Sequence, residues 1–295
     1  MKVLVTGSSG QLARSLIERA RIWPGIELIA AGRPELDLEI PNSAARVIQR
    51  SAPGVIINGA AFTDVDGAED QPQRALRVNG EAAGEVASAA AAVGAPIIQL
   101  STDYVFDGTA DHPYDETAPV RPLNAYGRSK LTGEEAVRSA NPEHLILRTA
   151  WVYSPFGRNF VRTMFEAAGE RDELRVVADQ RGSPTSALDL AGALLKVIEN
   201  WRLGGSAGRG GTYHLAGSGD ASWHELAQEV MDFRHRRGLR SARLIPISAS
   251  DWPMRAVRPR YSVLSNKKFE RDFGFSLHDW RQSLPEVVEA LAGRR

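Results

Sequence analysis

The run "KVLVTGSSGQLA" (2–13) sets an apolar stretch directly against a glycine turn and the start of a helix. The same punctuation recurs down the first half of the chain. Apolar runs at 26–32, 54–61, 95–102 and 144–153 read as strands. Helical stretches at 11–22, roughly 72–93 and 125–140 lie between them, and "LDLEIPNSAARVIQRSAP" holds a turn and then a helix. The strands are continuous apolar runs rather than alternating ones, as expected when helices cover both faces of a sheet. Strand–helix–strand repetition makes that sheet parallel and doubly wound. The fold class is therefore α/β. The sheet domain is expected over 1–150, with a strand and helix returning to it near 172–200. Residues 151–295 read mostly as a smaller, irregular lobe that closes over the carboxyl edge of the sheet. In that lobe "GGSAGRGG" (204–211) is a connector, and "SWHELAQEVMDF" is a helix with Ser222 as its N-cap and Glu225 three residues on.

Sheets of this kind bind ligands at the carboxyl ends of their strands. The turn after the first strand carries Gly7, Gly10 and Ala13 in G-x-x-G-x-x-A spacing. Gly7 permits the tight turn, and Gly10 lets the backbone approach a pyrophosphate at the helix N-terminus, beside Gln11 and Leu12. Ala13 is small enough for close helix–strand packing. This is the dinucleotide-binding arrangement of a Rossmann-type domain. The end of the second strand selects the dinucleotide. An acidic residue there would bind a ribose 2′-hydroxyl, but this chain has Gly32 and then Arg33. A guanidinium pairs with a 2′-phosphate, so NADPH is expected over NADH. Asp37 and Leu38 are placed to meet the adenine. Ala61, Phe62 and Thr63 close the third strand and are expected to line the cofactor.

"LSTDYVFDG" runs off the fourth strand where the nicotinamide should lie, offering Thr102, Asp103 and Tyr104. Some 20 residues on, "NAYGRSK" puts Tyr126 and Lys130 one helical turn apart on one face. A dinucleotide reductase must give a hydride to a carbonyl carbon and a proton to its oxygen. A nearby lysine cation and an oxidised nicotinamide both favour phenolate, and would lower a tyrosine pKa toward neutrality. Thr102 can hold the carbonyl oxygen alongside Tyr126, and Lys130 can also reach the nicotinamide ribose.

These residues resemble the extended short-chain dehydrogenase/reductases. The pieces "GSSGQLA", "NGAAFTDVDGAE", "STDYVFDGT", "NAYGRSKLTGE", "RTAWVY", "DQRGSPT" and "RPRYSVL" resemble, in order, the dTDP-4-dehydrorhamnose reductase family. The resemblance implies a nucleotide-sugar substrate, dTDP-4-dehydro-6-deoxy-L-mannose, reduced at C4 to dTDP-L-rhamnose as the last step of dTDP-rhamnose synthesis. It implies Tyr126 as proton donor, Lys130 as its electrostatic partner and Thr102 as an aid to proton transfer. It also implies sugar contacts from Thr102, Asp103, Tyr104 and Trp151, and a diphosphate contact from Arg258. Ala13, Gly32 and Gly59 depart from the residues commonest in that family; none is a reacting group, and they bear on cofactor preference. A 4-ketoreductase for another deoxysugar nucleotide and a non-catalytic subunit resembling the methionine adenosyltransferase β subunit stay open. A 4,6-dehydratase is disfavoured, because Asp103 is not followed by the glutamate such an enzyme needs.

Charge narrows the partners. The 36 basic and 36 acidic residues cancel, which argues against nucleic acid as a partner. The basic stretch at Arg234, His235, Arg236, Arg237, Arg240 and Arg243 reads as a solvated helix end. The absence of cysteine excludes disulfides, thiolate metal sites and cysteine nucleophiles. The opening shows no signal-peptide pattern, and the Ala-rich stretch at 80–100 carries glutamates and breaks at Gly94 and Pro96. No membrane span is expected, and the location expected is cytoplasmic. The resemblance implies a homodimer, the assembly expected of some members of that family. Glu286 and Glu289 in the tail are too few to make a metal site, so no metal is expected.

Overall fold

Val3, Leu4 and Val5 are fully buried because β1 (Lys2–Thr6) has a strand on each side and helices above and below. The computed structural model describes residues 1–293. From β1 the chain runs through α1 (Gln11–Ala20), β2 (Glu27–Ala31), α2 (Ser43–Ser51) and β3 (Val55–Asn58). A short α3 (Val65–Asp70) leads to α4 (Pro72–Leu76), a π-helical turn (Arg77–Glu81) and α5 (Ala82–Ala92). Then come β4 (Ile97–Thr102), α6 (Ala125–Ala140) and β5 (His144–Thr149). The second half holds β6 (Val152–Tyr153), α7 (Phe160–Ala167), β7 (Glu173–Val177), β8 (Arg181–Gly182), β9 (Thr185–Ser186) and α8 (Ala187–Arg202). It ends with β10 (Gly211–His214), β11 (Ala221–Ser222), α9 (Trp223–Arg236), β12 (Arg243–Ile247), α10 (Lys267–Phe273) and α11 (Trp280–Ala292).

The main sheet has the order β10-β5-β4-β3-β1-β2, and every pair in it is parallel. The chain steps outward from β1 to β2 and then crosses back to β3. That reversal opens a crevice at the carboxyl ends of β1 and β3. One face is covered by α1 and α8, with Leu190, Leu194 and Trp201 in the same core as Val3, Val5 and Ile57. The other is covered by α2, α5 and α6, where Ala83, Ala87 and Val137 join Leu4, Ile56 and Ile97. A buried polar ladder ties the strands together beneath the crevice. The Thr6 hydroxyl donates to Asn58 Oδ1 at 2.6 Å, and Asn58 Nδ2 donates to Gln99 Oε1 at 2.7 Å. Such fully paired groups hold register at little cost, whereas one missing partner would leave an expensive orphan. Among the described residues no helix is long and apolar enough to cross a membrane.

The second lobe has its own core, in which Phe165 of α7, Leu226 and Val230 of α9, and Trp280 and Val287 of α11 meet. Ser222 and Glu225 form a reciprocal capping box at the start of α9. Four local readings change. The strand near 172–200 does not return to the main sheet: β7 pairs in parallel with β12, and β10 is the strand that joins β5. The run 144–153 is not one strand, because the chain breaks at Trp151, whose φ of 46° is left-handed. The helix expected over 72–93 contains the π turn. Arg234 is not solvated. It is 1% exposed, and its guanidinium donates to the carbonyls of Arg240 and Phe165 at 2.6 and 2.8 Å.

Candidate active site

A cavity of about 910 Å³ follows the carboxyl ends of the strands. Gly7, Gly10, Gln11 and Leu12 line it from the first turn and α1; Arg33, Asp37 and Leu38 from beyond β2; Ala61, Phe62 and Thr63 from beyond β3; and Tyr126 and Lys130 from α6. The backbone is shaped to admit a large group along this wall. Gly7 has φ of 86°, and a Cβ on it would meet Ala60 at 3.2 Å. A Cβ on Gly32 would sit 2.5 Å from the Ser8 hydroxyl and 3.1 Å from the Ser8 backbone nitrogen, so the end of β2 closes tightly on the turn after β1. At Gly59 a Cβ would meet Leu12 at an ordinary 3.5 Å. Thr149 lines the same cavity, and its buried hydroxyl has no partner in the protein. An orphan of that kind wants a ligand or water. The turn, the helix N-terminus and the free hydroxyl together fit a dinucleotide.

The reacting edge is built by β4 and α6. Asn124 caps α6 by accepting from Gly127 N at 2.8 Å, which fixes the first turn that carries Tyr126. Tyr104 packs edge-on against Tyr126 with ring centroids 6.0 Å apart. Thr102 accepts from Tyr104 N at 3.1 Å and donates to Asp103 Oδ1 at 3.1 Å. Desolvation pushes the Tyr126 phenol up to about 12, the Thr102 hydroxyl pulls it down, and the Asp103 carboxylate pushes it up again. The lowering expected from Lys130 is thus not what governs the phenol here. The Lys130 ammonium instead donates to the Leu100 carbonyl at 2.6 Å, and burial brings it down to about 8 against the pull of Glu134. Burial thus keeps the phenol protonated.

Several residues at the site carry no local sequence signal. Asn79, in the π turn, accepts from Phe62 N at 2.8 Å and donates to Phe62 O and to the Ser129 hydroxyl, both at 3.0 Å. It thereby locks the loop at 61–63 to α6, a use typical of π turns. Arg74 also lines the cavity, paired with Glu39 at 2.6 Å and lying over the Phe62 ring at 5.6 Å. Trp151 does not present two free faces. It stacks on Trp223 with centroids 3.4 Å apart and planes within 4°. Arg258 is held bidentately by Asp66, at 2.8 and 3.1 Å, and is not free for a diphosphate in this conformation. In the tail, Glu286 pairs with Arg19 and Glu289 with Arg237.

Asp103 makes a testable pH signature. Burial pushes its carboxyl from 3.8 up to about 7, against the Ser262 and Thr102 hydroxyls, which favour the ionised form. Between those values the unfolded chain has lost a proton that the folded chain keeps. Stability therefore falls as pH rises from 3.8 to about 7 and levels off above. Asp103→Asn removes that slope. It is expected to gain on the unmutated chain with rising pH, by up to about 4 kcal/mol above neutrality. Thermal melts across pH read this directly, and parallel profiles for the two proteins would rule out Asp103 as the source.

The RmlD substrate binding domain model matches residues 1–292. The dTDP-4-dehydrorhamnose reductase of Sinorhizobium fredii is 45% identical, over 99% of this chain and 98% of its own length. Among solved structures, a dTDP-4-dehydrorhamnose reductase of Clostridium acetobutylicum superposes with a TM-score of 0.90 at 39% identity, covering 99% of this chain and all of that one. The Bacillus anthracis reductase, solved in complex with NADP, gives 0.90 at 33% identity over 97% of this chain and 98% of its own. Matched in this way along nearly its full length, the chain belongs to the RmlD substrate binding domain family.

Proposed function

We propose that this protein uses NADPH to reduce the C4 keto group of dTDP-4-dehydro-6-deoxy-L-mannose, giving dTDP-L-rhamnose, the last step of dTDP-rhamnose synthesis. The observation that carries the reading is the meeting of Tyr126 with Thr102 at the end of β4, where Tyr126 and, one turn on, Lys130 line a dinucleotide-sized cavity. Relatives from Sinorhizobium fredii and Clostridium acetobutylicum that match along nearly the whole chain bear the name of this activity, and the one from Bacillus anthracis was solved with NADP. The bound dinucleotide supplies the hydride that C4 receives. Tyr126 gives its proton to the C4 oxygen, so the ketone becomes an alcohol and the tyrosine a phenolate. Thr102 orients that oxygen and steadies the phenolate, and Lys130 adds positive charge nearby. Arg33, lining the cavity past β2, is the residue we assign to the 2′-phosphate, with NADH accepted less well.

Asp103, Tyr104 and the exposed part of Trp151 are assigned to the sugar. Arg258 is assigned to the diphosphate, and takes that role only by leaving Asp66. A homodimer and a cytoplasmic location complete the reading; sedimentation of the purified protein in the analytical ultracentrifuge and cell fractionation check them. The function itself is tested by following NADPH absorbance with dTDP-4-dehydro-6-deoxy-L-mannose and with a panel of other 4-ketosugar nucleotides. Turnover is expected, fastest with the first substrate, and faster with NADPH than NADH. Failure on every 4-ketosugar nucleotide would overturn the reading and favour the binding-subunit alternative.

A further inference from the structure

One buried ion pair under the site takes no part in the steps above. Glu134 is fully buried on α6, one turn beyond Lys130, and Arg148 of β5 grips it with Nε at 2.9 Å and Nη2 at 2.7 Å. The Ser101 hydroxyl donates to the same carboxylate at 2.5 Å. Three consecutive residues of β4 therefore hold three parts of the site. The Leu100 carbonyl accepts from Lys130, Ser101 binds Glu134, and Thr102 lies beside Tyr126. A buried ion pair is not an efficient way to stabilise a fold, since well-packed apolar residues do as well or better. Its position suggests another use.

We propose that Glu134 is a positioning residue for the proton transfer, acting through Lys130 and the Leu100–Thr102 strand end. It touches neither of the reacting atoms. Its carboxylate, pinned by Ser101 and Arg148, favours the charged form of Lys130 in a setting where burial disfavours it, and it ties the helix bearing Tyr126 to the strand bearing Thr102. The groups facing Glu134 are Ser101 from β4, Arg148 from β5 and Arg138 from α6 itself at 3.9 Å. Beyond Arg148 stands His214 of β10, which burial and then Arg148 push down to about 3, so it carries no charge at working pH. Lys130 shares its end of α6 with Tyr126, and Asp103 lies off the end of β4. On the other sides of α6, Glu69 of α3 pairs with Arg128, while Arg77 pairs with both Glu81 and Glu85.

The proposal rests on the reductase reading, so one readout must not need the substrate. Lys130 is titrated in the intact protein by NMR of its side-chain carbon, assigned with Lys130→Arg. Glu134→Gln is expected to shift that titration down by about one pH unit. In turnover, the alkaline limb of kcat should move down by the same amount, with KM little changed. Because Glu134→Gln leaves Arg148 buried and unpaired, it is compared with Glu134→Gln/Arg148→Met, which removes both charges. The double variant is expected to recover thermal stability yet keep the displaced Lys130 titration and alkaline limb. An unmoved Lys130 titration in Glu134→Gln overturns the proposal, as does a double variant that recovers both stability and pH profile. A wild-type protein without turnover would count against the reductase reading and leave the Lys130 titration as the deciding measurement.

Discussion

Tyr126→Phe is expected to lower kcat by about 10²–10⁴-fold while NADPH still binds within a few-fold of its usual affinity. The ring and its edge-on contact with Tyr104 survive the change, so the wall of the cavity keeps its shape. Only the proton donor is lost. The phenol is the right group to lose, because desolvation keeps it protonated, with Thr102 beside it to ease departure of the proton. Lys130 sits on the Leu100 carbonyl and is buried, so it is not placed to replace the phenol directly. Steady-state rates with the preferred 4-ketosugar nucleotide, together with cofactor titration by fluorescence quenching, separate the two effects. Near-normal turnover in Tyr126→Phe would remove it as the donor.

Gly127→Ala should be strongly damaging, though helix propensity predicts the opposite. Alanine in place of a helical glycine ordinarily gains about 1 kcal/mol. Here a Cβ would lie 2.2 Å from the Tyr104 carbonyl oxygen and 3.0 Å from Pro122. The first of these is a backbone atom that cannot rotate away. Either α6 or the segment after β4 must shift, at an overpacking cost of about 1–3 kcal/mol. The shift falls on the residue next to Tyr126, and a displacement of about 1 Å at a reacting group is worth about 10²-fold in rate. Gly127→Ala is therefore expected to lose both thermal stability and kcat. A variant as stable and as active as the unmutated chain would show that α6 has slack there, and that its close seat on Tyr104 does not position the tyrosine.

Much of this site was legible one residue at a time. The Gly7–Gly10 turn, Arg33, the polar end of β4 and the Tyr126/Lys130 spacing are all local patterns; the cavity gathers the turn, Arg33, Tyr126 and Lys130, while Thr102, Asp103 and Tyr104 stand buried beside it. Helix α6 runs over the residues its sequence indicates. What the sequence did not show is the neighbour each side chain has in the fold. Lys130 faces the Leu100 carbonyl first, Trp151 gives a face to Trp223, and Arg258 is occupied by Asp66. Arg234 looked like one of a run of surface cations and is buried against backbone carbonyls.

The sequence by itself determined the alternation of strands and helices through the first half, the parallel sheet, the dinucleotide turn and which side chains are candidates to move a proton. Those follow from periodicity, glycine conformation and side-chain chemistry, which operate over a few residues. Only the tertiary structure decided which strand joins β5, how the π turn brings Asn79 to Phe62 and Ser129, and how Ser101, Glu134 and Arg148 meet beneath Lys130. Each of these joins residues far apart in the chain. A strand does not encode its partner, and a buried charge reads like any other until the fold supplies its counter-ion, because pairing and burial are properties of the packed whole.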